Sequence, residues 1–170
     1  MMKKPRLTKI NNIEKSLQSA EEHCQRHGSK LTKKRRQILS ILLGADRAIS
    51  AYELIELFND QFEHKPPAMS VYRILDYLVS FDLIHKVNAA NKFIACTQIH
   101  NMENHGATQL LFCQQCQQVQ ETPLNTTVYE GLLDEIKKSG NQLCSQQLEF
   151  TCICNACLEN SQSYKKSISA

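Results

Sequence analysis

Two cysteine pairs, Cys113-x-x-Cys116 and Cys154-x-x-Cys157, stand 37 residues apart in the 170-residue chain. Each pair can chelate from a tight turn that sets both sulfurs on one side, and two such pairs close a tetrahedral thiolate site, the usual geometry of structural zinc. A small domain carrying this clip folds around it, since zinc binding contributes on the order of 10 kcal/mol. The closed sulfur set leaves no open coordination position, which argues against hydrolysis at this ion. The competing reading is two unrelated pairs of buried or redox-active cysteines, although a thioredoxin-like motif needs only one pair at a strand–helix junction. Cys152 keeps one ligand open at this point. A strand through Cys152 and Cys154 points both to the same face, so either can be the fourth sulfur. Cys24 and Cys144 have no partner motif and read as core residues.

No run approaches the roughly 18 apolar residues of a membrane span, and no apolar segment follows the basic start as in a signal peptide. A cytoplasmic location is therefore expected, where eight cysteines serve better as metal ligands or thiols than as a disulfide frame. The net charge of +3 hides an asymmetry: residues 1–36 carry eleven Lys/Arg against three Glu, a net +8, and the remainder is −5. A basic front half suits a polyanion such as DNA, and a solvated basic tail would look the same from charge alone.

The front half reads as helices. Ile13, Leu17, Ala20 and Cys24 recur at helical spacing before Gly28. Thr32 can cap a helix bearing Ile38, Ile41 and Leu42. Ser50-Ala51-Tyr52-Glu53 fits a capping box, and Ser70 can cap a fourth helix with Val71, Ile74, Leu75 and Leu78 as its stripe. Leu83–Val87 and Lys92–Cys96 then read as a hairpin. Helices followed by a hairpin make a winged helix-turn-helix, with the fourth helix as recognition helix and the hairpin as wing. After a polar stretch, 108–112 and 119–122 read as strands around the first cysteine pair. Residues 124–138 read as a helix presenting Val128, Leu132 and Ile136, and 147–153 as a last strand. The expectation is an α+β chain with a winged-helix DNA-binding domain over 1–96 and a hinge over 97–106. A small α/β dimerisation and metal-binding domain over 107–160 and a tail over 161–170 complete it.

A second metal site can be assembled across these elements. A hairpin centred between Ala90 and Asn91 sets His85 directly opposite Cys96, about 5 Å apart at Cβ. The linker adds His100, Glu103 and His105, and Glu121 follows the first cysteine pair. Two imidazoles, a thiolate and a carboxylate neutralise Zn²⁺ and favour it over Mg²⁺. Isolated His or Glu side chains on such elements are more often simply solvated. No nucleophile–base pair stands out, so an enzyme with a small-molecule substrate is not expected.

Five stretches together resemble the ferric uptake regulator family, and within it the zinc uptake regulator branch. They are Leu31–Arg35, Ala48–Leu54, Lys65–Pro67 with Val71–Leu75, His85–Val87, and the two cysteine pairs with Val119–Glu121, covering residues 20–157 in order. The resemblance implies a homodimer. It implies structural zinc on Cys113, Cys116, Cys154 and Cys157, choosing Cys154 over Cys152. It also implies a regulatory zinc on His85, Cys96, His105 and Glu121, hence two Zn²⁺ per chain. The segment between Cys96 and Cys113 is one residue longer than the family pattern, which leaves His100 as a rival to His105. The link Ala68–Ser70 is also long, which leaves the start of the recognition helix open. Tyr72 and Arg73 are the expected base readers, through a thymine methyl and guanine O6/N7, with a core aromatic as the competing reading of Tyr72. Arg35 and Lys33 are the expected phosphate contacts. The function implied is a zinc-responsive repressor that binds operator DNA as a zinc-loaded dimer and controls zinc-uptake genes. The rivals are an iron- or peroxide-responsive repressor of the same family, or a thiol-redox zinc-ribbon module.

Overall fold

The computed structural model describes residues 5–45, 47–62, 66–101 and 106–159, with side chains from residue 12 onward. The chain divides into two units, Met1–His105 and Gly106–Ala170.

The first unit is a winged helix-turn-helix. Its elements are α1 (Pro5–Arg26), α2 (Lys33–Gly44), α3 (Ala51–Gln61), α4 (Ala68–Ser80), β1 (Ile84–Val87) and β2 (Lys92–Ala95). The apolar stripes converge on one core that includes Leu17, Ile38, Leu54, Leu75 and Ile84. Cys24 lies in this core, fully buried, and so does Ile99 from the stretch expected to be a polar hinge. Gly28 takes φ +67 just past α1, where a residue lacking Cβ is unstrained.

Helix starts follow the sequence unevenly. The Ser50 side chain accepts from the Glu53 N–H, and the Glu53 carboxylate reaches back to the Ser50 N–H, so both arms of the capping box are made. Thr32 occupies the N-cap of α2, but its hydroxyl makes no cap hydrogen bond. Ser70 does not cap α4. That helix begins at Ala68 with Pro67 as its N-cap, and the Pro67 carbonyl accepts from the N–H groups of Ser70 and Val71 at 2.8 and 3.3 Å. Proline's restricted φ, here −57°, suits the residue that leads into a helix, so Ser70 already lies in the first turn.

The wing differs in register from the expectation. A 3₁₀ turn over Asn88–Ala90, closed by Asn91 in the left-handed region, makes a four-residue turn. Val87 pairs with Lys92, and His85 therefore faces Ile94. Cys96 pairs back to Leu83 through a 3.1 Å backbone bond. His85 and Cys96 are thus diagonal neighbours rather than directly opposed. A shift of two residues preserves their common face, because side chains alternate with period two. A bridge between Ile49 and Phe93 ties the wing to the segment before α3.

The second unit contains β3 (Thr108–Cys113), β4 (Val119–Pro123), α5 (Thr126–Lys138) and β5 (Gln147–Cys152). Strand order is β4-β3-β5, with β4 antiparallel and β5 parallel to the central β3. The Asn125 side chain caps α5 by accepting from the N–H groups of Thr127 and Val128. No described residue of α5 is buried, and Val128 is 60% exposed. Phe150 on β5 is also exposed. Leu110 and Cys113 are the buried hydrophobic residues among those described in this unit, so its core is thin. No helix among the described residues is long and apolar enough to cross a membrane.

Candidate metal centres and nucleic-acid interface

The four-cysteine cluster is built by the ends of two adjacent strands. β3 delivers Cys113, and a tight turn with Gln117 in the left-handed region presents Cys116. Gln117 N–H donates to the Cys113 carbonyl, and Cys113 N–H to the Gln118 carbonyl, both at 2.9 Å. β5 runs out at Cys152, and a single helical turn begins just after Cys154. The Cys154 carbonyl accepts from the N–H groups of Cys157 and Leu158, which folds the second pair into its chelating shape.

The sulfurs of Cys113, Cys116, Cys154 and Cys157 all lie within 4.8 Å of one another. Cys113 and Cys157 are 3.9 Å apart, and Cys116 and Cys154 are 3.7 Å apart. A tetrahedral zinc with Zn–S bonds of about 2.3 Å requires S···S separations of about 3.8 Å, so the residues fit the ion. Cys154 rather than Cys152 joins the group. Cys152 instead lies in strand register with Cys113 and uses its carbonyl to accept from Gln114 N–H.

The cluster by itself favours one thiolate, at Cys113. Backbone N–H groups of Cys116 and Cys154 draw the Cys113 thiol down to about 6, with burial opposing them. The Cys154 amide lies 3.4 Å from that sulfur. Cys157 is pushed up to about 12, first by its hydrogen bond to Cys154, then by burial and the neighbouring sulfurs. A dication is what allows several such thiolates to coexist.

In the first unit, His85 and Cys96 are both buried, and a ring nitrogen of His85 comes within 4.8 Å of the Cys96 sulfur. The Gln98 N–H donates to that sulfur at 3.3 Å. The first unit therefore presents a buried imidazole–thiol pair at the wing. Glu121 belongs to the second unit, where β4 pairs it with Leu110 of β3. It is a buried acid, and the Thr108 hydroxyl donates to it at 3.4 Å. His105 and Glu103 lie outside the described residues. His100 is committed elsewhere: its two ring nitrogens lie 3.0 Å from the Ser16 hydroxyl and 3.3 Å from the Ser19 hydroxyl on α1.

On α4, Tyr72 and Arg73 both lie off the buried Val71–Leu75–Leu78 stripe and are exposed. Tyr72, 37% exposed, is not a core aromatic. Lys33 is exposed at the start of α2. Arg35 is half-buried, with its guanidinium over the Tyr77 ring. Two exposed side chains escaped the sequence reading, Tyr52 at 74% and Met69. The available signal was position: Tyr52 stands outside the Leu54–Leu57–Phe58 stripe, where a large aromatic has no packing role.

Sequence comparison resolves the lineage, since the profile of the ferric uptake regulator family matches residues 26–151. The chain belongs to that family. It is 32% identical over 149 residues to the zinc uptake regulation protein of Escherichia coli strain K12, spanning 84% of this chain and 81% of that protein. The zinc uptake regulation protein of Shigella flexneri matches to the same extent. Among solved structures, a zinc uptake regulator complexed with zinc and DNA superposes with a TM-score of 0.76 at 27% identity, covering 88% of this chain and 97% of that one. The holo form of XcZur gives 0.72 at 27% identity, covering 84% and 96%. The ferric uptake regulator of Helicobacter pylori, at 18% identity and a TM-score of 0.54 over 86% and 93% of the two chains, shares the fold.

Proposed function

We propose that this chain is a zinc-responsive transcriptional repressor that binds operator DNA as a zinc-loaded homodimer and controls zinc-uptake genes. The observation that carries the reading is the likeness to a zinc uptake regulator captured with zinc and DNA, which extends over 88% of this chain. The zinc-regulator relatives favour it over the iron- or peroxide-responsive alternative. The reading gives the chain a regulatory rather than a catalytic role.

In this reading Cys113, Cys116, Cys154 and Cys157 hold a structural zinc, which compensates the thin core of the second unit. The S···S distances support it. A second, regulatory zinc takes His85, Cys96, His105 and Glu121. The buried imidazole–thiol pair supports this set, and so does the engagement of His100 by the serines of α1. A neutral ligand sum and one thiolate suit Zn²⁺ over harder ions. The ion supplies a cross-link among side chains that are far apart in sequence. In a dimer, such a link sets the spacing of the two α4 helices, and half-sites on DNA select for that spacing. A hundredfold preference of zinc for the DNA-competent form shifts the equilibrium by about 2.7 kcal/mol. The exposed Val128 and Phe150 give a second copy apolar surface to cover, which supports the 107–160 segment as the dimerisation region.

Metal-stripped protein refilled with Zn²⁺ or Fe²⁺ and titrated onto a duplex selected from a randomised pool tests the reading. Zinc should restore binding. Restoration by Fe²⁺ and not by Zn²⁺ would overturn it.

A further inference from the structure

Arg35 is held in place before any ligand arrives. Its guanidinium carbon lies 3.3 Å from the centroid of the Tyr77 ring, and one terminal nitrogen donates to the Lys30 carbonyl at 2.7 Å. The ring beneath it is itself pinned. The Tyr77 hydroxyl is 2.9 Å from the Ser29 hydroxyl and 3.5 Å from the same Lys30 carbonyl. Tyr77 stands four residues after Arg73 on α4, one turn along the same face. The stack therefore sets a cation from α2 against the helix whose exposed start carries Tyr72 and Arg73.

We propose that Tyr77 is a positioning residue for DNA binding. It holds the Arg35 guanidinium in one plane beside α4, so that the N–H edge not used on Lys30 meets a DNA phosphate. An arginine free to sample its rotamers loses that freedom on binding, whereas a stacked one has already lost it. The aromatic ring does this work, and the Tyr77 hydroxyl is not required for it. The proposal rests on the DNA-binding reading above and on Arg35 as a phosphate contact.

Zinc-loaded full-length protein and a mixed-sequence DNA duplex provide the test, with affinity measured across a salt series. Arg35→Ala should make the slope of log affinity against log salt shallower by about 1. Tyr77→Leu should do the same, Tyr77→Phe should keep the wild-type slope, and Arg35→Ala with Tyr77→Leu should lose no more than Arg35→Ala alone. If Tyr77→Leu does not fold, Tyr77→Met reads the same way. A wild-type slope for folded Tyr77→Leu, beside a flattened one for Arg35→Ala, would overturn the positioning role and leave Arg35 as a contact. An unchanged slope for Arg35→Ala would remove Arg35 as a phosphate contact and the positioning proposal with it. Failure of the wild type to bind DNA would instead sink the repressor reading.

Discussion

At the start of α3, the Glu53 carboxyl is held at about 2, first by the Ser50 backbone N–H and then by Arg47, whose guanidinium lies 2.7 Å away. Its ordinary value is 4.5. A depressed carboxylate stabilises the fold fully above its unfolded value and loses that contribution as pH falls through the folded one. With 32% of the side chain exposed, the contribution is on the order of 1–2 kcal/mol after solvent screening. Urea midpoints for Glu53→Gln should therefore trail wild type at neutral pH and converge with it between pH 4.5 and about 2. Ser50→Ala should cost about 1 kcal/mol at any pH in the neutral range. The proposed DNA contacts separate by salt and sequence dependence. Arg73→Ala should weaken binding to a selected duplex far more than to random DNA, by about 1–3 kcal/mol. Lys33→Ala should weaken both equally, and the ratio of the two affinities reads the difference. The exposed faces of Tyr72 and Arg73 were legible in the sequence because the stripe beside them is clean. Tyr77 was not, because its meaning depends on Arg35, which reaches it from another helix.

Elements were legible wherever a local pattern alone determines them. The capping box at Ser50 needs three consecutive spacings and no tertiary partner, and both its arms are made. Ser70 and the wing show where local patterns compete. Proline before α4 set the helix start three residues earlier than the serine suggested. In the hairpin, a centre one residue earlier, between Ala89 and Ala90, moved every pair by two. Parity survived that shift, so His85 and Cys96 still share a face although they do not oppose one another. The cysteine pairs were legible because a Cys-x-x-Cys turn chelates by itself. The choice between Cys152 and Cys154 depends on where β5 ends, which no spacing states. Cys152→Ser should accordingly keep its zinc in the four-cysteine cluster, while Cys154→Ser should release it and lower the melting temperature of the second unit. Colorimetric zinc release on mild heating distinguishes the two. Retention of zinc by Cys154→Ser, with release by Cys152→Ser, would exchange their roles.

At the scale of the whole molecule, sensing and folding are assigned to different donor sets. The four cysteines form a closed cluster in a unit with little else to hold it together, so the zinc proposed there is expected to stay bound across the range in which a sensor must respond. In the proposed reading, the buried His85–Cys96 pair carries the response. That assignment was the least legible from sequence, because its proposed donors come from β1, the residue after β2, β4 and a linker, and no short motif joins them. The most direct measurement counts zinc per chain and binding to a selected duplex, for wild type and His85→Ala side by side. Wild type should hold two zincs and bind DNA in a zinc-dependent way. The variant should hold one, stay folded and lose that dependence. Full DNA binding by a one-zinc His85→Ala protein would contradict the account.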